Sequence, residues 1–250
     1  MEIDKTQKKD YNGCEDCAKG MLNLKKYYKT ELHTHTTPVS GCSEISPKQL
    51  VEVYKENGYD SFVLTNHFRA GMNGDTPEEK VNFYLDDYYQ CVEEGKRVGI
   101  NVILGIEVRL NENKNEYLIY GICPEDLTEI YNKLDLSIDE FYRAVKNEKN
   151  VILQAHPFRN DMVLVNPESL DGAEAFNVHP NHNSRNGFAV KFTQENNLIA
   201  TCGNDFHHMG QECLCATLTE EPIKDSYDLA RILKSGAYVM SVGDFIISKS

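Results

Sequence analysis

The segment Glu31-Leu32-His33-Thr34-His35 places two histidines one residue apart, and the later polar residues of the chain are best understood as partners of this pair. Two β-favouring tyrosines precede the segment and the turn-forming Pro38 follows it, which predicts the end of a strand running into a loop. Side chains two residues apart in a strand point to the same side, so His33 and His35 can reach one metal ion together. Alone, the pair does not establish a metal site, because histidines also serve as surface or hydrogen-bonded core residues.

The chain has 250 residues, a length that fits one large α/β domain with a full hydrophobic core. No apolar run approaches the roughly 20 residues needed to cross a bilayer. Lysines and an aspartate occupy the first ten residues, where a secretory signal would be apolar. We therefore expect a cytoplasmic protein with no membrane partner, in which the eight cysteines are reduced thiols.

The charge balance is acidic, with 26 basic and 39 acidic side chains and a formal net charge of -13. Nucleic-acid phosphates would meet net repulsion, so no long nucleic acid is expected as a partner. Bound divalent cations could reverse this sign locally. The sequence makes no prediction about the oligomeric state.

Residues 1–26 are polar and lysine-rich and are predicted to be an N-terminal extension, with residues 27–250 forming the folded domain. Cys14 and Cys17 lie in this extension, and Cys213 with Cys215 could complete a structural zinc site with them. That spacing matches no standard zinc module, so free thiols are the favoured interpretation.

Short apolar segments alternate with amphipathic ones along the rest of the chain. Helices are predicted over 46–57, 76–98, 137–148 and 185–196, and strands over 61–65, 102–107, 117–122, 151–155, 172–177 and 198–202. The first helix begins with an N-cap serine, Ser46, followed by Pro47. This alternation is typical of a parallel β/α architecture in a single domain.

Histidines and carboxylates follow the ends of different predicted strands, at His33, His35, His67, Glu107, His156, Asp205 and His207. The carboxyl ends of parallel strands form one face of the fold, so these side chains are expected to meet there. Imidazole and carboxylate ligands without a cysteine favour Zn, Mn or Fe in a hydrolytic site. Seven ligands are too many for one ion and predict two or three divalent metal ions that share a bridging carboxylate. Singly, His156 could just terminate a strand and Asp205 could cap a turn.

Five ordered motifs resemble those of the PHP (polymerase and histidinol phosphatase) domain: His33-x-His35, Thr65-Asn66-His67, Gly105-Ile106-Glu107, Ala155-His156-Pro157 and Gly203-Asn204-Asp205-x-His207. The resemblance spans about residues 29–245. It implies that residues 27–250 form a distorted seven-stranded (β/α) TIM-like barrel, with a multinuclear metal site at the C-terminal ends of the strands. It also implies phosphoester hydrolysis by a metal-activated hydroxide.

The same resemblance assigns ligands to individual ions. One metal would be held by His33, His35, Glu107 and Asp205. Glu107 would bridge to a second metal that His156 also binds, and His67 with His207 would hold a third.

Three departures from the family pattern affect this assignment. Ser40 stands where an aspartate is usual, so the third metal lacks a ligand. Asn66 replaces another aspartate, a change expected to act on the orientation of the neighbouring histidine. The fourth strand offers only Glu116 and Cys123 where the family has a histidine, which leaves the shell of the second metal open.

Arg159 and Arg185 lie on loops predicted at the same face and could bind phosphate oxygens, with Asn177 as a further substrate-binding candidate. Either arginine could equally be a solvated or structural residue. His182 is the candidate general acid, beside Glu107 and Asp205 as catalytic carboxylates.

The leading hypothesis is a metal-dependent phosphoesterase acting on a small phosphomonoester, such as a histidinol-phosphate-like compound or a nucleotide or sugar phosphate. Cyclic or oligonucleotide phosphodiesters remain open as substrates. An amidohydrolase-type enzyme that cleaves C–N or ester bonds is a rival, since the same nucleophile attacks carbonyls. Outside enzymes, the rival is a metal-binding regulatory module whose third site has decayed.

Overall fold

The computed structural model describes residues 27–211 and 213–248. The twelve strands are β1 (Tyr28–Thr34), β2 (Ser61–Leu64), β3 (His67–Phe68), β4 (Asn101–Leu104), β5 (Ile106–Arg109), β6 (Glu116–Tyr120), β7 (Val151–Gln154), β8 (Gly172–Asn177), β9 (Ile199–Gly203), β10 (Cys215–Thr219), β11 (Val239–Val242) and β12 (Phe245–Ile247). The α-helices are α1 (Pro47–Glu56), α2 (Pro77–Val98), α3 (Leu127–Tyr131), α4 (Ile138–Val145), α5 (Asn186–Glu195) and α6 (Ser226–Ser235). The predicted extension 1–26, with Cys14 and Cys17, lies outside the described residues.

Local capping signals set the helix starts. Ser46 and Thr76 precede α1 and α2, and each forms a capping box with the residue three positions later, Gln49 or Glu79, ahead of a proline in the first turn. Each box satisfies backbone N–H groups that the first turn leaves without partners. The predicted bounds of both helices are therefore confirmed to within a residue at their starts.

The strands form two mixed six-stranded sheets, in the orders β12-β11-β10-β1-β2-β4 and β3-β5-β6-β7-β8-β9. β2 continues into β3, and β4 continues into β5, each after a short break, so these two chain segments pass from the first sheet into the second. A single parallel bridge between Thr34 and Phe206 links the end of β1 to the residues after β9. The chain is thus an α/β fold built on mixed sheets.

The expectation that all strands run parallel is wrong for β6 and for β10 to β12. β6 pairs antiparallel with both β5 and β7, because residues 110–115 form a turn that is too short for a helical crossover. The first residue of β6, Glu116, therefore lies opposite Arg109, and its carbonyl accepts a hydrogen bond from Ala155 N at 2.9 Å. Glu116 consequently sits at the edge where β5 and β7 end, which we call the mouth of the fold.

Apolar side chains bury both faces of the central strands. In β2, Phe62 packs into the cluster that includes Tyr54 of α1, whereas Val63 points into a cluster shared with Leu32 of β1 and residues of the second sheet. Burial of a side chain of this kind contributes roughly 1.5–3 kcal/mol. These two layers hold the strand ends rigidly in place beneath the mouth. In the described part of the chain, no helix combines the length and the apolar character needed to cross a bilayer.

Candidate metal centre

The structure brings the side chains of all seven predicted metal ligands together at the mouth, and none is more than 9% exposed. They form four overlapping groups of three whose ligand atoms lie within 4.8 Å of one another: His35, His67 and His207; His33, His35 and Glu107; His33, His156 and Asp205; and His67, Glu107 and Glu116. Their spatial convergence is observed, while their role as ligands remains a prediction.

Glu107 lies at the centre of this cluster. Its Oε1 is 3.1 Å from His33 Nε2 and 3.2 Å from His156 Nε2, and its Oε2 is 2.8 Å from His67 Nδ1 and 3.4 Å from His35 Nε2. Burial by itself would raise the pKa of this carboxyl, but the surrounding imidazoles hold it well below its ordinary value. Glu107 is therefore ionised, and each of its two oxygens lies beside imidazoles that could share a cation with it.

Asp205 is the second carboxylate in contact with the histidines of the cluster. Its Oδ1 is 3.6 Å from His33 Nε2 and 3.3 Å from His35 Nε2, while its Oδ2 accepts from the Arg159 guanidinium and from Asn177 Nδ2 at 3.1 Å. Burial opposes ionisation, yet His33 and Arg159 keep the pKa of Asp205 well below its usual range. One oxygen of Asp205 is thus directed to the cluster and the other holds the arginine.

Several buried atoms of the cluster have no hydrogen-bond partner among the described residues: His33 Nε2, His35 Nε2, His67 Nδ1 and Glu107 Oε2. Buried polar atoms are almost always hydrogen-bonded, so a group of neighbouring buried atoms without partners indicates that a further group binds between them. Divalent cations would satisfy imidazole nitrogens and carboxylate oxygens together. The residues present therefore fit a metal centre.

Glu174 orients two of these histidines, and sequence reasoning missed it. His33 Nδ1 donates to Glu174 Oε1 at 2.9 Å, and the backbone N–H of His156 donates to Oε2 at 3.0 Å. Because Nδ1 carries the proton, His33 presents the lone pair of Nε2 to the cluster. A signal existed in the sequence, since a carboxylate within the otherwise apolar β8 segment would be costly to bury without partners.

Glu116 fills the position that was left open on the fourth strand. Its Oε2 lies 3.5 Å from His156 Nε2 and its Oε1 lies 3.6 Å from His67 Nδ1. Only the antiparallel direction of β6 places this first residue of the strand at the mouth. Glu116 is therefore a further candidate ligand beside Glu107.

Ser40 and Asn66 act behind the cluster. Ser40 Oγ is 3.1 Å from His35 Nδ1, accepts from the backbone N–H of His67 at 3.0 Å, and donates to Asn66 Oδ1 at 2.9 Å. The amide of Asn66 in turn donates to the buried carboxylate of Asp87 in α2 at 3.3 Å. Asn66 thus acts through hydrogen bonds around His35 and His67, and Asp87 supplies the negative charge to this network.

Two candidate ligands have backbone angles in the left-handed region. The φ angle is 27° at His156 and 52° at Asp205, and each residue lies two positions past the end of a strand. Such conformations cost of order 1–3 kcal/mol each for non-glycine residues and concentrate at functional sites. Here they turn the two side chains toward the cluster.

The sequence model of the PHP domain matches residues 31–238. The chain belongs to the PHP-domain family. No curated protein matches it significantly.

Solved structures share its fold at low sequence identity. A two-domain Bacteroides vulgatus protein, described as containing a predicted PHP-like metal-dependent phosphoesterase, is 16% identical with a TM-score of 0.62, over 88% of this chain and 66% of its own. PsfC from Pseudomonas syringae is 16% identical with a TM-score of 0.56, and the match covers 82% of this chain and 88% of PsfC. A Bifidobacterium adolescentis protein, provisionally described as a metal-dependent phosphoesterase, is 15% identical with a TM-score of 0.53, and the match covers 82% of this chain and 95% of that protein. At these identities the likeness concerns the fold.

A cavity of about 250 Å³ opens above the cluster of this PHP domain. Arg159 and His182 line it, as their positions on loops at the mouth predicted, together with five of the seven predicted metal ligands, namely His67, Glu107, His156, Asp205 and His207. Arg159 Nη2 contacts Asp205 and Asn177, and its Nε is buried without a partner among the described residues. Burial and the nearby charge of Arg159 lower the pKa of His182 from its ordinary value.

The other two substrate-binding candidates of the PHP domain lie outside this cavity. The Arg185 side chain is exposed and donates to Phe158 O and to Asn160 Oδ1, both at 2.6 Å, so it ties down the loop that follows His156. Asn177 is buried, and its Nδ2 donates to Glu174 at 2.9 Å and to Asp205. The structure does not bring these two side chains to the cavity, and any contact of theirs with substrate remains a prediction.

Cys213 and Cys215 join no group of metal-ligating side chains in the described ranges. Cys215 is buried, and its carbonyl accepts a hydrogen bond from Tyr59 at 2.6 Å. None of the six described cysteines is in a disulfide.

Proposed function

We propose that this PHP domain is a metal-dependent phosphoesterase that hydrolyses a small phosphomonoester. The observation that carries the proposal is the cluster of buried, unpartnered imidazole nitrogens and ionised carboxylates, which adjoins a cavity that His67, Glu107, Asp205 and Arg159 line. The family membership and the descriptions of two structures with this fold support it.

Two or three divalent ions, Zn, Mn or Fe, would be held in three overlapping subsites. His33, His35, Glu107 and Asp205 would hold one, His156, Glu107 and Glu116 a second, and His67 with His207 a third. When bound, such ions supply a water nucleophile at neutral pH and neutralise charge on the phosphoryl oxygens.

Arg159 is the side chain best placed to bind the phosphate. It lines the cavity, its guanidinium is oriented by Asp205 and Asn177, and its Nε–H is a buried donor that still needs an acceptor. A phosphate oxygen would provide that acceptor with a charge-assisted hydrogen bond. In this proposal Asn177 positions Arg159 and Asp205, and Arg185 holds the loop on which Arg159 lies.

His182 would donate the proton to the leaving alkoxide. It lines the cavity and belongs to none of the ligand groups found among the described residues. A group that loses a proton in the reaction has to regain it from solvent, and the partly exposed position of His182 allows this exchange.

The size of the cavity and the charge of the chain favour a small substrate. About 250 Å³ is less than the roughly 300–1,000 Å³ of sites for drug-sized ligands. A histidinol-phosphate-like compound or a nucleotide or sugar phosphate would suit this space better than a polymer, which the net charge of -13 would also repel.

We also propose that the strands close into a distorted seven-stranded barrel, in which β2 with β3 and β4 with β5 each count as one strand. The Thr34–Phe206 bridge and the hydrogen bond from His35 N to Phe206 O at 3.2 Å support closure between β1 and β9.

Elemental analysis and a phosphate-release screen over a metabolite panel test the proposal. We expect two or three metal equivalents and turnover of at least one phosphomonoester, with both reduced in His33→Ala. Tyr89→Ala is the control, because this exposed ring on α2 lies outside the cavity and belongs to none of the ligand groups of the described residues.

Three outcomes would contradict the proposal. Turnover of amides or esters alone would identify an amidohydrolase-type enzyme, and turnover of diesters alone a phosphodiesterase. Tight metal binding with no turnover of any substrate would identify a regulatory module.

A further inference from the structure

Cys42 lies beside the third subsite, where no ligand of this type was expected. Its Sγ is 3.2 Å from His67 Nε2 and within hydrogen-bonding reach of His207. The cysteine side chain is exposed at the rim of the cavity, whereas both imidazoles are buried. A thiol in contact with two imidazoles provides the donor atoms of an N₂S site.

The surroundings of the Nδ1 atoms indicate which nitrogen of each ring faces Cys42. His207 Nδ1 donates to the backbone carbonyl of Asp205 at 2.7 Å, which leaves the lone pair of Nε2 for the cavity side. His67 Nδ1 lies 2.8 Å from Glu107 Oε2, so its Nε2 is the nitrogen that faces the thiol.

A second observation indicates a cation at this place. His35 Nε2 is fully buried and lacks a hydrogen-bond partner in the described chain, and one ring nitrogen each of His35, His67 and His207 lie within 4.8 Å of one another. Three imidazoles at this separation form part of a coordination shell, and Cys42 lies against two of them, His67 and His207.

We infer that Cys42 is a thiolate ligand of the ion held by His67 and His207. The inference rests on the metal centre of the proposed function, but not on its substrate. Cys42 thereby replaces the ligand that was expected to be missing because Ser40 stands in place of an aspartate.

The subsites then differ in chemical softness. The rim subsite has two imidazoles and a thiolate, which suit Zn²⁺ or Co²⁺. The subsite of His156, Glu107 and Glu116 has two carboxylates, which suit Mn²⁺ or Fe²⁺ better. The centre is therefore expected to bind two different metals, with Zn²⁺ at the rim.

Cobalt substitution of the 250-residue protein tests the thiolate directly. Metal-stripped protein is titrated with Co²⁺, and we expect a near-ultraviolet thiolate-to-cobalt charge-transfer band that is absent from Cys42→Ser. Cys123→Ser is the matched control, because that thiol lies outside the cavity. Competition between the protein and a chelator for zinc should show that Cys42→Ser binds one zinc equivalent more weakly than the wild type. Because Cys42 is a ligand, the loss of affinity should exceed the roughly 10–100-fold that follows removal of a residue that only orients a ligand.

Two results would overturn the inference: no such band in the fully loaded wild-type protein, or an undiminished band in Cys42→Ser. Cys42→His provides a check on folding, since it should lose the band and retain zinc affinity. The readout is independent of turnover. A cobalt band with no phosphate release would refute the proposed function alone, and phosphate release without the band would refute the thiolate alone.

Discussion

Replacing Glu174 with glutamine is expected to weaken metal binding, although Glu174 is not itself a candidate ligand. Its buried carboxylate accepts from His33 Nδ1 at 2.9 Å through Oε1, and from His156 N at 3.0 Å and Asn177 Nδ2 at 2.9 Å through Oε2. Glutamine has the same size but only one acceptor oxygen, so its amide N–H₂ has to face at least one of these donors.

Both orientations of the glutamine are unfavourable. If its oxygen faces His33, the N–H₂ group meets the N–H groups of His156 and Asn177, and each buried donor left unpaired costs about 1–3 kcal/mol. If the N–H₂ group faces His33, Nδ1 becomes the acceptor and the proton moves to Nε2, the atom that faces Glu107 at 3.1 Å. Loss of an outer-shell partner of this kind costs roughly 10–100-fold in metal affinity, or about 1.4–2.8 kcal/mol.

Two measurements separate these effects. Competition with a chelator should show at least about tenfold weaker binding of one metal equivalent in Glu174→Gln. Urea unfolding of the metal-free protein should show a free energy of unfolding lower by about 1–3 kcal/mol. Glu168→Gln serves as the control, because that carboxylate is exposed. Unchanged metal affinity in Glu174→Gln, with stability alone reduced, would refute the orienting role.

Three further predictions follow from the same contacts. Arg159→Ala should lower kcat/KM for a phosphomonoester by about 10²–10³-fold, as removal of a preorganised donor does, whereas Arg185→Ala should have a smaller effect; equal losses would contradict the assignment. Asn66→Asp should lower the free energy of unfolding, measured by urea denaturation, by about 1–3 kcal/mol, because it replaces the N–H donor 3.3 Å from Asp87 Oδ2 with an acceptor. The double variant Asn66→Asp with Asp87→Asn should recover most of this loss. A general acid works only when protonated, so kcat/KM should fall as the pH rises through the pKa of His182, which burial and Arg159 lower from its ordinary value. This descending limb should disappear in His182→Gln, and its persistence would exclude His182 as the acid.

Local signals predicted the secondary structure well. Ser46 caps α1, as predicted, and Thr76 caps α2 at the predicted start of that helix. These signals can be recognised in the sequence because capping involves residues only three positions apart. The 172–177 strand and the 185–196 helix also lie within one residue of their predicted bounds. The direction of β6 was predicted wrongly, because its apolar pattern is the same for either direction of the strand.

Membership of the PHP-domain family followed from motifs that each span only a few residues, such as His33-x-His35 and Ala155-His156-Pro157. The convergence of the seven candidate ligands followed from their positions at strand ends, because parallel strands bring those ends to one edge.

The sequence by itself determined where the elements form and which imidazoles and carboxylates meet, because propensity, capping and strand-end position are properties of short segments. The tertiary structure alone decided that Glu116, Glu174 and Cys42 contact histidines of the candidate metal centre and that Arg185 stays outside the cavity. These contacts depend on strand direction and on the packing of loops that are distant in sequence. Distances of about 3 Å between such residues are set only when the whole chain is folded, because hydrogen bonds and coordination require that precision.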